Sequence, residues 1–173
     1  MSEALEALHR LARALGTIPA MRHTHGSMVM AVLDEVLQTL VGHKLLTVLK
    51  IDAAQQWSTR WYSSQPERFA AQRRKALCDA PQMRRVIAAG VPLLVNGVEQ
   101  VRAAFPDHQR IFDLGCASVL NIPVRIAHRS VANINLLHEA DHYPAPDSEA
   151  VKWAEIACQM VGGVIALGMP DPS

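Results

Sequence analysis

A pair of strand patterns in the second half of the chain constrains its fold more than any other feature of the sequence. Ser118–Ile126 is an apolar run rich in β-branched residues, and residues 131–137 alternate between apolar and polar side chains. Residues 128–130 form a polar connection between them. A short helix precedes the pair, since Asp107 can cap its start and Gly115 can end it at little conformational cost. The sequence therefore predicts a β-hairpin with a helix in front of it.

Further strand and helix patterns flank this hairpin. Residues 45–51 are nearly all apolar and residues 56–64 alternate in size, which predicts a second hairpin. Two amphipathic helices precede these strands, and an apolar helical run over residues 148–167 follows the later hairpin. The fold class is therefore α+β: an antiparallel sheet of about five to six strands sandwiched between helices, with flanking N- and C-terminal helices.

Composition and charge are those of a globular domain. The chain has 173 residues, of which 50% are hydrophobic and 19% charged, and its formal net charge is +1. This balance favours neither nucleic acid nor an anionic membrane as a partner. The N-terminal residues carry Glu3 and Glu6 and have leucines at helical spacing, unlike a signal peptide, and the apolar run over 156–169 is shorter than the roughly 20 residues of a membrane span. We therefore expect a cytoplasmic protein that binds neither nucleic acid nor a membrane.

One segment fits a metal-binding pattern. Residues 138–142, His-Glu-Ala-Asp-His, match the HExxH pattern of zinc hydrolases, in which two histidines on one helix face bind the metal. Here a strand pattern precedes the segment, and Pro144 and Pro146 leave no room for a helix to continue. We therefore expect a solvated loop at a strand end, with no metal site and no cofactor.

The three cysteines allow an enzymatic alternative. Cys78, Cys116 and Cys158 are an odd number without CxxC spacing, which disfavours a disulfide framework and a zinc ribbon. Cations surround Cys78 in the sequence and could lower the pKa of its thiol. Against this, Cys116 and Cys158 are typical small buried apolar residues.

The later half of the chain also resembles a known family, the GAF domains, which are small-molecule sensors. The matching residues are Leu114, Gly115, Ser118, Leu120, Asn121, Pro123, Val124, Asn135, Leu136, Leu137 and Tyr143. The resemblance extends over roughly residues 33–167 and implies a sheet with flanking helices that often pack on a second subunit. It divides the chain into an N-terminal helix and linker (1–26), a GAF-like sensor domain (27–168) and a tail (169–173). One branch of the family reduces free methionine sulfoxide with loop cysteines, but the spacing of Cys116 to Ser118 differs from the pattern of that branch.

Three features predict a ligand pocket between the sheet and its covering loops. Residues 60–64 end a strand with aromatic and hydroxyl side chains, a basic loop that includes Lys75 follows, and Asp107 begins a short helix. Asn135 lies within an apolar strand, where its amide either ties a strand edge or faces a ligand. The candidate ligand-binding residues are Arg60, Trp61, Tyr62, Ser64, Lys75, Asp107, Cys116, Ser118 and Asn135.

The resemblance to GAF domains implies a non-catalytic sensory domain, and the basic pocket pattern favours a small anionic metabolite as its ligand. We expect it to form a homodimer through its terminal helices and to signal through dimerisation or a separate output protein. A first alternative is a structural or protein-docking domain whose pocket is filled by Trp61, Phe69 and Met83. A second alternative is a thiol-dependent enzyme similar to the methionine sulfoxide reductases of the family.

Overall fold

The computed structural model describes residues 2–17 and 25–168, which contain seven α-helices, six strands and one short 3₁₀ helix. The strands are β1 (Leu45–Asp52), β2 (Trp57–Ser63), β3 (Arg74–Ala76), β4 (Leu93–Asn96), β5 (Ser118–Ile126) and β6 (Arg129–His138). The helices are α1 (Ser2–Gly16), α2 (His25–Leu40), α3 (Pro81–Ala89), α4 (Val98–Ala104), α5 (His108–Phe112), α6 (Glu149–Met160) and α7 (Gly162–Leu167). The 3₁₀ helix is Leu77–Asp79. Residues 18–24 of the predicted linker and the predicted tail, 169–173, lie outside the described residues.

The strongest sequence pattern forms the hairpin of β5 and β6, as predicted. Ala127 and His128 connect the strands in a two-residue turn, and both have positive φ, 47° and 62°. Positive φ at both central residues matches the right-handed twist of the flanking strands. Because Arg129 already pairs with Ile126 across this turn, the predicted polar connection at 128–130 is wrong by two residues at its end.

The six strands form one antiparallel sheet in the order β3-β2-β1-β6-β5-β4. Helices α1, α2, α6 and α7 cover one face of this sheet, which we call the helical face. Helices α3, α4 and α5 and the β2–β3 loop cover the other, which we call the loop face. The predicted α+β class, with five to six antiparallel strands between helices, is confirmed.

The main hydrophobic core lies between the sheet and the helical face. Alternate residues of the central strands supply it, among them Val48, Leu120, Ile122 and Ile134, all fully buried. Their neighbours in the chain point to the loop face, because successive side chains of a strand alternate between the two sides. The strand pattern thus decides which residues face the helices and which face the opposite side.

A β-bulge in β2 interrupts this alternation. Val48 pairs with Tyr62 and Leu49 pairs with Arg60, so that Trp61 is an extra residue in the strand. A bulge moves every later side chain to the other face of the sheet. As a result, Trp61 and Tyr62 both pack against the core of the helical face, although strict alternation would separate them.

The apolar C-terminal run forms two helices instead of one. The segment Glu149–Leu167 is long and apolar enough to cross a membrane by length and composition alone; its 18-residue window has a mean hydropathy of 1.4, and 39% of that window is buried within this fold. The helix is interrupted at Val161, and Gly162 begins the next helix close to the sheet. A Cβ on Gly162 would lie 3.1 Å from Val124 Cγ1, so the absence of a side chain permits this approach.

A half-buried carboxylate joins α2 to the sheet. Asp34 accepts hydrogen bonds from the Tyr62 hydroxyl at 2.6 Å and from His43 Nε2 at 2.7 Å. Burial raises the pKa of Asp34, but the hydrogen bonds from His43 and Tyr62 outweigh burial and hold this pKa below its ordinary value of 3.8. The ionised form of Asp34 is therefore more favoured in the folded protein than in the unfolded chain.

We expect the stabilisation by Asp34 to depend on pH below about pH 4. A carboxyl whose pKa is lower in the folded state stabilises the fold above its unfolded pKa and loses this contribution as pH falls through the folded pKa. Asp34→Asn should lower the free energy of unfolding by about 2 kcal/mol at pH 7, and the difference from the parent protein should shrink at pH 3. Urea unfolding of both proteins at pH 7 and at pH 3 measures this difference in the free energy of unfolding. A difference that is the same at pH 7 and pH 3 would contradict the assignment.

Candidate functional site

A cavity of about 470 Å³ lies on the loop face of the sheet. Side chains of β1, β2, β5 and β6 form its floor, and α3, α5 and the β2–β3 loop form its walls. Phe69, Phe105, Leu45 and Leu137 supply apolar lining. The volume lies within the range of about 300–1,000 Å³ that is typical of small-molecule sites.

Positive charge dominates the lining of this cavity. One carboxylate, that of Asp107, lines it together with five cations, namely Arg60, Arg73, Arg74, Lys75 and Arg110. Both cations among the predicted ligand-binding residues, Arg60 and Lys75, are in this group, but Lys75 lies on β3 and not in the loop that the sequence predicted. Arg110 was not predicted, because its contribution depends on how α5 packs against the loop.

Arg60 is partly buried in the cavity wall. Its Nη1 donates to the Ala70 carbonyl at 3.0 Å, whereas its Nε is buried without a hydrogen-bond partner in the part of the chain that the structure describes. Burial lowers the pKa of Arg60, and the nearby charges of Arg110 and Arg73 lower it further, with Asp107 acting in the opposite direction. Arginine nevertheless stays protonated in proteins, so a positive charge with an unused donor lies in the cavity wall.

An aromatic ring holds two of the guanidinium groups together. Arg60 Cζ lies 5.6 Å from the centre of the Phe69 ring, and Arg110 Cζ lies 4.8 Å from the same centre. Arg110 also donates to the Arg68 carbonyl at 3.2 Å. These contacts fix the like charges near each other without neutralising them.

Lys75 and Asp107 form an ion pair at the cavity rim. Their Nζ and Oδ2 atoms are 3.5 Å apart, and both side chains are about half exposed, at 42% and 50%. An exposed pair of this kind contributes little to stability, so an anion in the cavity can compete for the lysine. The predicted cap is wrong in detail: Asp107 stands at the N-cap position of α5, but its carboxylate caps no backbone N–H there.

Amide side chains form a hydrogen-bonded chain across the cavity floor. Asn135 Oδ1 accepts from Asn121 Nδ2 at 2.7 Å and from Asn133 Nδ2 at 2.6 Å, and its own Nδ2 donates to Thr47 Oγ1 at 3.1 Å. Gln82 of α3 joins the chain by donating to Asn121 Oδ1 at 3.1 Å. Asn135 therefore ties β6 to β1 and β5, which is the first of the two roles predicted for it, and it also lines the cavity, so that contact with a ligand stays a prediction.

The other predicted site residues lie outside the cavity lining. Trp61 and Tyr62 lie on the helical face because of the bulge in β2, and the Tyr62 hydroxyl bonds Asp34. The Ser64 hydroxyl accepts a hydrogen bond from the Leu46 N–H at 2.9 Å. Cys116 is buried in the small core of the loop face, and Ser118 is fully buried at the start of β5. Four of the nine predicted residues therefore line the cavity together, namely Arg60, Lys75, Asp107 and Asn135. The other five predicted residues lie elsewhere in the fold.

The pocket-filling alternative finds no support in this arrangement. Phe69 and Met83 line the cavity walls without filling it, and Trp61 lies on the opposite side of the sheet. The indole ring of Trp61 lies against α2 and the end of α7. A Cβ on Gly26 would lie 2.9 Å from this ring, and a Cβ on Gly168 would lie 2.8 Å from it.

The HExxH segment forms a turn after β6, as predicted. The imidazole rings of His138 and His142 are stacked, with centroids 3.4 Å apart. His142 Nε2 donates to the Val41 carbonyl at 2.8 Å, and His138 Nδ1 accepts from the Glu139 N–H at 2.9 Å. Within residues 2–17 and 25–168, no group of three histidine, cysteine, aspartate or glutamate residues is arranged to hold a metal ion.

The thiols are not positioned to act in the cavity. Burial raises the pKa of the Cys116 and Cys158 thiols, and both side chains are at most 2% exposed. Cys78 is exposed, and its thiol lies 3.6 Å from Asp79 Oδ1. None of the three cysteines lines the cavity.

We expect a thiol reagent to distinguish these cysteines. In the folded protein, Ellman's reagent should modify one thiol per chain, Cys78, and the other two only after denaturation, because a buried thiol with a raised pKa is a poor nucleophile. Cys78→Ser should then show no rapid reaction. Rapid modification of two or more thiols in the folded parent would contradict the burial of Cys116 and Cys158.

Comparisons with known proteins find similarity only at the level of the fold. No family model matches the sequence, and no curated protein matches it. Among solved structures, the GAF domain of a phosphoenolpyruvate-protein phosphotransferase from Coxiella burnetii is similar with a TM-score of 0.68 and 13% identity, covering 95% of this chain and 91% of that one. The corresponding domain from Acinetobacter has a TM-score of 0.69 and 13% identity, with 94% and 92% covered. A GAF domain/HD domain protein from Geobacter sulfurreducens has a TM-score of 0.63 and 16% identity, with 85% and 99% covered.

Proposed function

We propose that this chain, which has the GAF-domain fold, is a non-catalytic sensory domain that binds a small anionic metabolite in the cavity on the loop face. The observation that carries the proposal is the Arg60 guanidinium, whose buried Nε has no hydrogen-bond partner among the described residues and which lies near the positive charges of Arg110 and Arg73. GAF domains are typically sensory and regulatory modules. The similar structures include the GAF domain of a two-component sensor histidine kinase from Bacillus halodurans, with a TM-score of 0.65 and 11% identity, covering 79% of this chain and 90% of that one.

The electrostatics of the cavity favour an anion over a neutral ligand. Five cations and one carboxylate line it, and the carboxylate is already paired with Lys75. Bringing like charges together in a partly dehydrated space costs free energy, which an anion would recover by neutralising them. Carboxylate and phosphate groups suit this purpose, because both accept charge-assisted hydrogen bonds from guanidinium groups.

A contact route leads from this cavity to the flanking helices. Arg60 faces the cavity, and the next residue, Trp61, packs on the opposite face against α2 and the end of α7. Lys50 strengthens the same junction by donating to the Gly168 carbonyl at 2.6 Å. A shift of β2 on ligand binding would therefore move the tryptophan ring against both helices. We propose that the signal leaves through these helices, to a second copy of the chain or to a separate output protein in the cytoplasm.

Thermal unfolding in the presence of defined anions tests the proposal. The probes are inorganic phosphate, phosphate monoesters, monocarboxylates and dicarboxylates, each compared with sodium chloride at the same ionic strength. A ligand at a hundred times its dissociation constant stabilises the folded state by about 2.7 kcal/mol, which a thermal shift detects. We expect at least one anion to raise the unfolding temperature beyond the chloride control. If every anion gives only the effect of chloride, anion binding is refuted.

The helical face offers a surface for self-association. Helices α1, α2, α6 and α7 lie on the same side of the sheet and expose large apolar side chains, which are Leu5 (42% exposed), Met28 (48%), Ile156 (45%) and Leu167 (89%). Exposed apolar residues on adjacent helices favour burial against another apolar surface. We propose that a second copy of the chain supplies that surface.

We expect light scattering at micromolar concentration to give twice the chain mass of 19.0 kDa. Ile156→Glu, on the helical layer, should shift the protein to monomers, because a buried unpaired carboxylate strongly opposes association. Val98→Glu is the matched control: this valine is equally exposed at 45% but lies on α4, on the loop face. A parent protein with a mass near 19.0 kDa would overturn the dimer, and equal effects of the two substitutions would overturn its location.

A further inference from the structure

We infer that the ligand of this cavity has two chemically different ends: an anionic group at the cations, and neutral N–H or O–H donors at the amide floor. The inference rests on the proposed anion binding and adds the part of the ligand that the cations do not recognise. It defines the ligand class as small acids or phosphate esters that also carry a hydrogen-bond-donating group such as an amide.

Two buried oxygen atoms at the floor provide the evidence. Gln82 Oε1 and Asn133 Oδ1 have no hydrogen-bond partner among the described residues, although both side chains are buried, at 4% and 1% exposed. Both side chains line the cavity. A buried polar atom without a partner costs free energy, so such atoms in native proteins need an explanation.

The hydrogen-bond chain explains why both free atoms are acceptors. Gln82 uses its Nε2 on Asn121, and Asn133 uses its Nδ2 on Asn135, so the remaining polar atom of each side chain is a carbonyl oxygen. The unpaired atoms of these two cavity-lining side chains are therefore both acceptors. A ligand satisfies them only with N–H or O–H groups, and a hydrocarbon or an ester would leave them unpaired.

The sheet separates these acceptors from the cations. Arg60 lies on β2 and Asn133 on β6, with β1 between them, and Gln82 reaches the floor over β5 through Asn121. Because neighbouring strands are about 4.8 Å apart, the backbone positions of Arg60 and Asn133 are roughly 10 Å apart across the sheet. One small molecule can span this distance between the side-chain tips, so both ends can bind at the same time.

The positive charge of the cavity favours a neutral hydrogen-bond donor on the ligand over a charged one. An ammonium group would satisfy the carbonyl oxygens, but it would enter a space lined by five cations and a single, already paired carboxylate. Neutral donors avoid that repulsion. The geometry thus favours an amide, an imide or a hydroxyl at the floor over an amine.

A matched pair of synthetic acids tests the inference. The probes are the monoamide and the monomethyl ester of adipic acid, which have the same carboxylate and similar length but differ in the N–H donors of the far end. Calorimetry on the parent protein should show the monoamide binding about tenfold more tightly than the ester. The double variant Gln82→Met/Asn133→Leu should bind both acids with equal affinity, close to that of the ester in the parent.

A second measurement does not depend on the folding of that variant. In the ¹⁵N-labelled parent protein, the side-chain NH₂ signals of Gln82 and Asn133 should shift with the monoamide and stay in place with the monoester. Equal affinities of the parent for both acids would overturn the two-ended ligand while leaving anion binding intact. If neither acid binds saturably and the anion screen is also negative, both the two-ended ligand and the proposed anion-binding function are refuted.

Discussion

Replacing Asn135 with leucine is expected to lower the free energy of unfolding by about 3 kcal/mol. The substitution conserves volume but removes the acceptor used by Asn121 and Asn133 and the donor used on Thr47. Each of these three partners is at most 5% exposed, so water cannot readily replace the lost hydrogen bonds. Leaving buried polar groups unpaired costs about 1–3 kcal/mol each, and the added apolar burial of leucine offsets part of the loss. Urea unfolding at pH 7 measures the difference.

Asn96→Leu is the control for this substitution. Asn96 also bonds through both amide atoms, to the carboxylate and the backbone N–H of Asp141, but these bonds lie at the exposed surface. Water can replace them, so we expect a loss of about 1 kcal/mol or less. A loss for Asn135→Leu no larger than that for Asn96→Leu would show that the amide chain does not stabilise the floor.

Replacing Arg60 with methionine is expected to weaken the binding of any anion that the thermal screen identifies by about 10- to 100-fold. Hydrogen bonds to charged groups contribute about 1.5–3 kcal/mol, and methionine keeps the aliphatic length of the side chain without the charge or the donors. The free energy of unfolding of the ligand-free protein should change by about 1 kcal/mol or less. The lost hydrogen bond to Ala70 is offset by relief of the repulsion from Arg110 and Arg73. Calorimetry and urea unfolding measure the two effects separately.

Arg84→Met is the matched control for Arg60. It removes the same charge from the same residue type, but Arg84 is exposed on α3 and does not line the cavity. We expect its effect on anion affinity to stay below about threefold, because exposed charges are screened by solvent and salt. Equal losses for both variants would mean that net charge, and not the position of Arg60, determines binding. A large loss of stability for Arg60→Met would instead assign Arg60 a structural role.

Local patterns were sufficient to predict most of the fold. The hairpin of β5 and β6 was predictable because a run of β-branched residues and an alternating run allow few other structures. The start of β6 was missed because Ala127, which carries no turn signal, adopts a positive φ. The break at Val161 was missed since the apolar pattern of the two helices continues through it.

Strand alternation failed as a guide to the site where a bulge intervened. The sequence pattern places Trp61 on one face of β2 and Tyr62 on the other, and nothing local in the sequence indicates that the strand has an extra residue there. The same effect occurs in β6, where Ala132 pairs with Val124 and Ser130 pairs with Arg125, so that Val131 is an extra residue and packs on the helical face, apart from Asn133. A bulge depends on pairing with a distant strand, which local periodicity does not record.

The polar floor was only partly predictable for a related reason. The place of Asn135 in the hydrogen-bonded floor was predictable because an amide within an apolar strand needs a partner. Gln82 was not, because it lies in a helix of ordinary composition, and its value to the site comes from the packing of α3 over β5. Arg110 is similar: a cation on a short helix acquires its role from the Phe69 ring that it shares with Arg60.

Native mass spectrometry on three proteins tests the central claim most directly. The parent, Arg60→Met and Arg84→Met are each incubated with a deproteinated small-molecule extract of cells, filtered and sprayed under non-denaturing conditions. The account predicts one reproducible adduct of an acidic compound on the parent and on Arg84→Met, and its loss on Arg60→Met. The absence of any adduct on the parent, or the same adduct on all three proteins, would contradict the claim that this cavity binds an anion through Arg60.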